Sequence, residues 1–157
     1  MCTEWPWRRY SVVMKFGGSS VADATRMREV ATIVLQFPDE MPIVVLSAMG
    51  KTTNNLLMAG ELAMKCDDAD EVSALEPVIA IRKLHVETMD ALHVDDATRA
   101  EVLKLLNKME QVCTGVALMQ ELTSRTRATL VSFGEAVQVD PIKPTLKAPG
   151  TNLMILK

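Results

Sequence analysis

Residues 12–20 read VVMKFGGSS, and the fold turns on whether this is a cradle for phosphate or only the turn that closes a buried strand. Val12, Val13, Met14 and Phe16 form a short apolar run, Gly17 and Gly18 stop it, and an amphipathic segment follows at once. That order is strand, tight turn, helix. The turn therefore sits where anions bind, at the carboxyl end of a strand and the start of a helix.

Downstream, Val21, Ala24, Met27, Val30, Ala31, Val34 and Leu35 recur at spacings of three and four, with charged residues largely between them. This predicts a helix over 21–37 with one buried face, capped by Ser19 or Ser20. Pro38 and Asp39 end it. Pro42 opens PIVVLS, whose continuous apolar run suits a strand covered on both faces. Strand, helix and strand make a right-handed βαβ unit with parallel strands, so the loops GGSS and SAMGKTTNN should face one crevice.

The remaining segments read as helices. LLMAGELAMKC has a helical pattern and CDDADE is a solvated connection. Residues 73–92 should form a helix with Leu75, Ile79, Ile81, Leu84, Met89 and Leu92 mainly inward, although Pro77 obscures its start. Asp95 or Asp96 can cap a long helix carrying Val102, Leu103, Leu106, Met109, Val112, Cys113, Val116, Leu118 and Met119. A break near Thr123 follows, with Ser124 capping RTRATLVSFGE and Glu135 at the end of that helix. Residues 136–157 contain three prolines and no sustained period, which predicts a poorly ordered tail.

Composition removes several classes. The 157 residues are 48% hydrophobic and 24% charged, enough for one soluble domain with a real core. A net charge of −3 with scattered Lys and Arg offers no field for nucleic acid, and no apolar run approaches the roughly 20 residues that span a bilayer. Cys2, Cys66 and Cys113 are far apart and lack metal-ligand spacing, so they read as reduced thiols, and no metal site is expected. His85 and His93, eight apart, receive no role. The stretch MCTEWPWRRY has no apolar core and is neither a signal peptide nor a convincing transit peptide.

GGSS alone fits an ordinary turn. Lys15 shifts the balance, because an alternating strand position aims its ammonium toward the crevice that the Gly17 and Gly18 amides face. Turn and phosphate loop then stand level. GKT at 50–52 invites a Walker A reading, but Val45 holds the position of the first glycine and the pattern fails. SAMGKTTN then reads as a polar loop offering Ser47, Thr52 and Thr53 hydroxyls with Asn54 and Asn55 amides, or as a simple helix-capping loop.

Three stretches in register, VMKFGGSSVAD, VVLSAMGKTTNNLL and ELTSRTRATLVSFGE, closely resemble the amino-terminal part of aspartate kinases, above all the plant monofunctional, lysine-sensitive type. The resemblance runs from about Ser11 to Glu135, the catalytic-domain portion 11–135, with 136–157 divergent. It implies an α/β fold: the amino-acid kinase, carbamate kinase-like α/β/α sandwich, incomplete here and opening with a parallel βαβ unit. It also implies transfer of the γ-phosphoryl group of ATP, as its Mg2+ complex, to the side-chain carboxylate of L-aspartate. The product is 4-phospho-L-aspartate, and the step opens lysine, threonine, methionine and isoleucine biosynthesis.

By the same resemblance Lys15 is catalytic and contacts the transferring phosphoryl group, while Gly17, Gly18 and Ser19 form the phosphate loop. Ser47 and Thr53 hold aspartate, and Glu135 meets its amino group. The family continues past SFGE into a nucleotide-binding half and regulatory ACT domains, neither of which is expected here. A second reading is therefore a catalytically inactive fragment that binds full-length kinase subunits; the first allows a homo-oligomer. The plant-type resemblance implies the plastid (chloroplast), and without a visible transit peptide the cytoplasm stays open.

Overall fold

The computed structural model describes residues 10–146 and 154–156. β1 (Val12–Phe16) leads through a 3-10 turn at Gly18–Val21 into α1 (Ala24–Leu35), and β2 (Pro42–Leu46) follows. Helices α2 (Thr52–Ala63), α3 (Glu76–Leu92), α4 (Asp96–Met119) and α5 (Ser124–Leu146) then succeed one another, with a second 3-10 turn at Ala69–Ala74, and β3 (Met154–Leu156) ends the described chain.

The sheet has the order β1-β2-β3, all parallel, with Met14 beside Val44, Phe16 beside Leu46, and Val44 beside Ile155. Alternation puts these residues on one face, where they pack against Met27, Val30, Ala31 and Val34 of α1. Val13, Lys15 and Val45 occupy the other face. There Val13 is 64% exposed and Val45 half-buried, so β2 is not fully covered on both sides as its apolar run suggests. A larger apolar cluster lies among the helices, built on Leu56, Ile81, Met89, Val102, Leu106, Met109, Cys113 and Leu130.

Helix boundaries follow local hydrogen bonding, and several differ from the pattern reading. The 3-10 turn, in which Ser20 N–H donates to Gly17 O (2.9 Å), absorbs Ser19 and Ser20. α1 therefore starts one turn late, and Asp23, extended at φ −155°, caps it by accepting from Arg26 N–H at 2.9 Å. Thr123 rather than Ser124 caps α5, its Oγ1 accepting from Thr126 N–H at 3.0 Å. Asp95 caps α4 by accepting from Thr98 N–H at 2.8 Å. Pro77 sits in the first turn of α3, where its missing N–H costs nothing, so that helix begins at Glu76.

The inward faces also shift slightly. Ile79 is exposed, while His85 is fully buried and its Nδ1 lies 2.7 Å from Ile81 O. Leu118 and Met119, at the end of α4, are 72% and 68% exposed. The helix ends there because Gln120 turns left-handed at φ 51°, its side-chain amide donating to the Ala117 and Cys66 carbonyls.

The expectation of a poorly ordered tail from residue 136 needs correcting in part. α5 continues to Leu146, and Met154–Leu156 pair in parallel with Ile43–Val45. The local composition predicted no element, yet β2 offers a free ladder edge that three apolar residues can complete. Cys2, the rest of the first nine residues, 147–153 and 157 lie outside the described residues.

Candidate functional site

The parallel register carries both loops to the same edge of the sheet. Lys15, the penultimate residue of β1, is exposed on the face away from α1, and its Nζ lies 3.7 Å from where a methyl on Gly17 would stand. The ammonium thus reaches over the glycine loop, as strand alternation predicted. Gly17 and Gly18 are half-buried and Ser19 is exposed. Among the described residues no carboxylate pairs with Lys15.

The second loop is drawn against the first. Ser47 N–H donates to Phe16 O at 3.1 Å, continuing the ladder one residue past β2, and Gly50 N–H donates to Gly18 O at 3.1 Å. A methyl on Gly18 would stand 2.7 Å from Ala48 O, a separation that real side chains do not adopt. Gly50 is left-handed at φ 53°, which lets the chain reverse directly into α2.

SAMGKTTNN is less of a loop than its composition suggests. Thr52 and Thr53 already belong to the first turn of α2; Thr52 is 1% exposed and its Oγ1 has no partner among the described residues. Thr53 and Ser47 are half-buried. No side chain caps α2; Thr52 N–H instead donates to Met49 O at 3.0 Å, and the positive end of the helix lies at this turn.

Glu135 arrives from a third direction. It lies within α5 rather than at its end, and it is exposed. Its neighbour Gly134 is packed so closely that a methyl there would come within 3.0 Å of Ala48 Cβ, 3.2 Å of Leu56 Cδ1 and 3.6 Å of Thr52 Cγ2. The three stretches singled out in the sequence therefore meet at one place. Ala48 and Gly134 escaped the sequence reading; a glycine inside a helical pattern was the available signal, since it costs helix stability and so implies a packing reason.

Two clefts lie elsewhere: about 210 Å³ between the start of α1 and α3, and about 290 Å³ between α3 and α4, where Arg82 pairs with Glu110 at 2.7 Å. Neither touches the loops. No group of three or more His, Cys, Asp or Glu among the described residues could hold a metal ion. Cys66 and Cys113 are free and buried, and burial raises both thiols, Cys113 to about 11. Both are therefore poor nucleophiles at neutral pH.

Comparison with known proteins gives the family. The model of the amino acid kinase family matches residues 11–146. Aspartokinase 1, chloroplastic, of Arabidopsis thaliana is 50% identical over 135 residues, covering 86% of this chain and 23% of that protein. Aspartokinase 3, chloroplastic, of the same plant is 53% identical over 130 residues, covering 83% and 22%. The crystal structure of Escherichia coli aspartokinase III in complex with aspartate and ADP superposes with a TM-score of 0.73 at 30% identity, over 86% of this chain and 28% of that one. The chain thus spans about a quarter of the length of these relatives.

Proposed function

Because the chain belongs to the amino acid kinase family, we propose that its two loops and α5 bind ATP and L-aspartate for transfer of the γ-phosphoryl group to the aspartate side chain. The observation that carries this reading is the contact of Ala48 with both Gly18 and Gly134, which brings the glycine loop beside Lys15, the start of α2 and the turn of α5 that precedes Glu135 to one place.

The chemistry needs little from the protein beyond position and charge. The acceptor carboxylate is already ionised at neutral pH, so no general base is required. One of its oxygens attacks the γ-phosphorus, the bond from that phosphorus to the bridging oxygen breaks, and ADP departs with the electron pair, leaving an acyl phosphate. Lys15 offsets charge gathering on the transferred group. Backbone N–H groups of Gly17, Gly18 and Ser19 cradle phosphate oxygens.

Ser47 and Thr53 donate to the carboxylates of aspartate, and Glu135 pairs with its ammonium. Mg2+ enters with ATP as part of the substrate, coordinated by oxygen from phosphate and water. The two Arabidopsis relatives are designated chloroplastic, and the plastid is the compartment this reading favours.

The test is aspartate-dependent ADP formation, with the acyl phosphate trapped by hydroxylamine as a hydroxamate. Turnover in the wild type and its loss in Lys15→Ala is the expected result. Equal turnover in both proteins would remove Lys15 from the site.

A further inference from the structure

Ala48 stands between the phosphate loop and the helix that bears Glu135, and it touches both through different atoms. Its carbonyl oxygen lies 2.7 Å from the point a Gly18 methyl would occupy, and its own methyl lies 3.0 Å from the corresponding point on Gly134. The residue itself cannot retreat. It is 4% exposed, Met49 beside it is fully buried and accepts a bond from Thr88 Oγ1 at 3.6 Å, and Gly50 is tied to Gly18 O.

Two segments distant in sequence, the phosphate loop and α5, are thus held against one small residue, the first on its carbonyl and the second on its methyl. Resting on the proposed function, the geometry points to Ala48 as a positioning residue: it fixes the spacing between the phosphate loop on one side and α5 at Gly134, the residue before Glu135, on the other, with Ser47 directly attached. The two contacts are separable. Crowding at Gly134 moves α5 away from Thr52 and leaves the Gly18–Gly50 clasp in place. Crowding at Gly18 pushes the phosphate loop off the Ala48 and Gly50 carbonyls, 2.7 and 3.2 Å from the new methyl, and meets no atom of α5 within 4 Å.

The experiment measures dissociation constants for aspartate and for ATP, together with unfolding midpoints, on the whole chain. Gly134→Ala is expected to weaken aspartate binding about tenfold, since sub-ångström misplacement is enough for such losses, while ATP binding stays within about twofold. Gly18→Ala is expected to do the reverse. Adding Ala48→Gly to Gly134→Ala removes the nearest of the three groups that the new side chain meets, leaving Leu56 Cδ1 and Thr52 Cγ2, and should recover part of both the aspartate binding and the unfolding midpoint.

Equal losses for both ligands, or unfolding midpoints that simply add in the double variant, would overturn the spacing role, because general destabilisation produces neither a split nor a rescue. A wild-type chain that binds no aspartate, yet shows the rescue in its unfolding midpoint, would instead defeat the functional reading and leave the spacing contact standing.

Discussion

The two loops at the carboxyl edge of the sheet are built in opposite ways. The first, Gly17 to Ser19, is open: Lys15 and Ser19 are exposed, and no residue between them is fully buried. The second, Ser47 to Thr52, is anchored in the interior by Ala48, Met49 and Thr52, at 4%, 0% and 1% exposure, with Gly50 and Lys51 exposed between them. One loop presents groups to a ligand and the other holds the presentation in place. Stability and binding should therefore separate between them, and substitutions can break or sharpen that contrast.

The largest expected effect is at Met49. Met49→Ala empties a fully buried position packed with α1 and the sheet, and should cost about 2–5 kcal/mol in denaturant unfolding. A cost below about 1 kcal/mol would mean that the second loop is not the support described.

Next in size is an effect of pH that belongs to the helical region. Burial pushes the His85 imidazole below its ordinary value, with the Ile81 carbonyl opposing. The unfolded chain takes up the proton near pH 6.5 while the fold disfavours it, so stability is complete above that pH and is lost as pH falls below it. The slope for one proton is at most about 1.4 kcal/mol per pH unit. His85→Leu should flatten this part of the unfolding profile, and an unchanged slope would remove His85 as its source.

Asp23 sits between the first loop and α1. Asp23→Ala removes the cap on Arg26 N–H and should cost about 1 kcal/mol, whereas Ser20→Ala should cost nothing comparable. Equal costs would return the cap to the serines.

The pattern of what could be read beforehand has a physical logic. α1 was legible because its apolar period is set by burial on one face, β1 and β2 because short apolar runs bounded by glycine or proline are strand-sized, and the meeting of the two loops followed from parallel strand geometry. The cap of α1 was misplaced because Ser19, Ser20 and Asp23 are all competent caps, and only the intervening 3-10 turn decides among them. The start of α2 at Thr52 was hidden by Thr-Thr-Asn-Asn, residues that favour turns over helix interiors unless, like Thr52, they are packed. β3 and the contact of Gly134 with Ala48 depend on partners far away in sequence, and no local pattern reports them.

Lys15→Ala is the smallest expected change in stability and the most informative contrast. Its ammonium is exposed, so unfolding should move by no more than about 0.5 kcal/mol, while ATP binding is expected to fall. A large loss of stability would make Lys15 part of the support and erase the difference between the loops.

The central claim, that both loops and α5 face one ligand site, is tested most directly by backbone amide NMR on the chain titrated with ATP and then with L-aspartate. The account predicts that ATP shifts the amides of Gly17, Gly18 and Ser19 and that aspartate then shifts those of Ser47, Thr53 and Glu135, with Val102 and Leu106 in the helical core unmoved. Shifts confined to the cleft between α3 and α4, or none at saturating ligand, would contradict it.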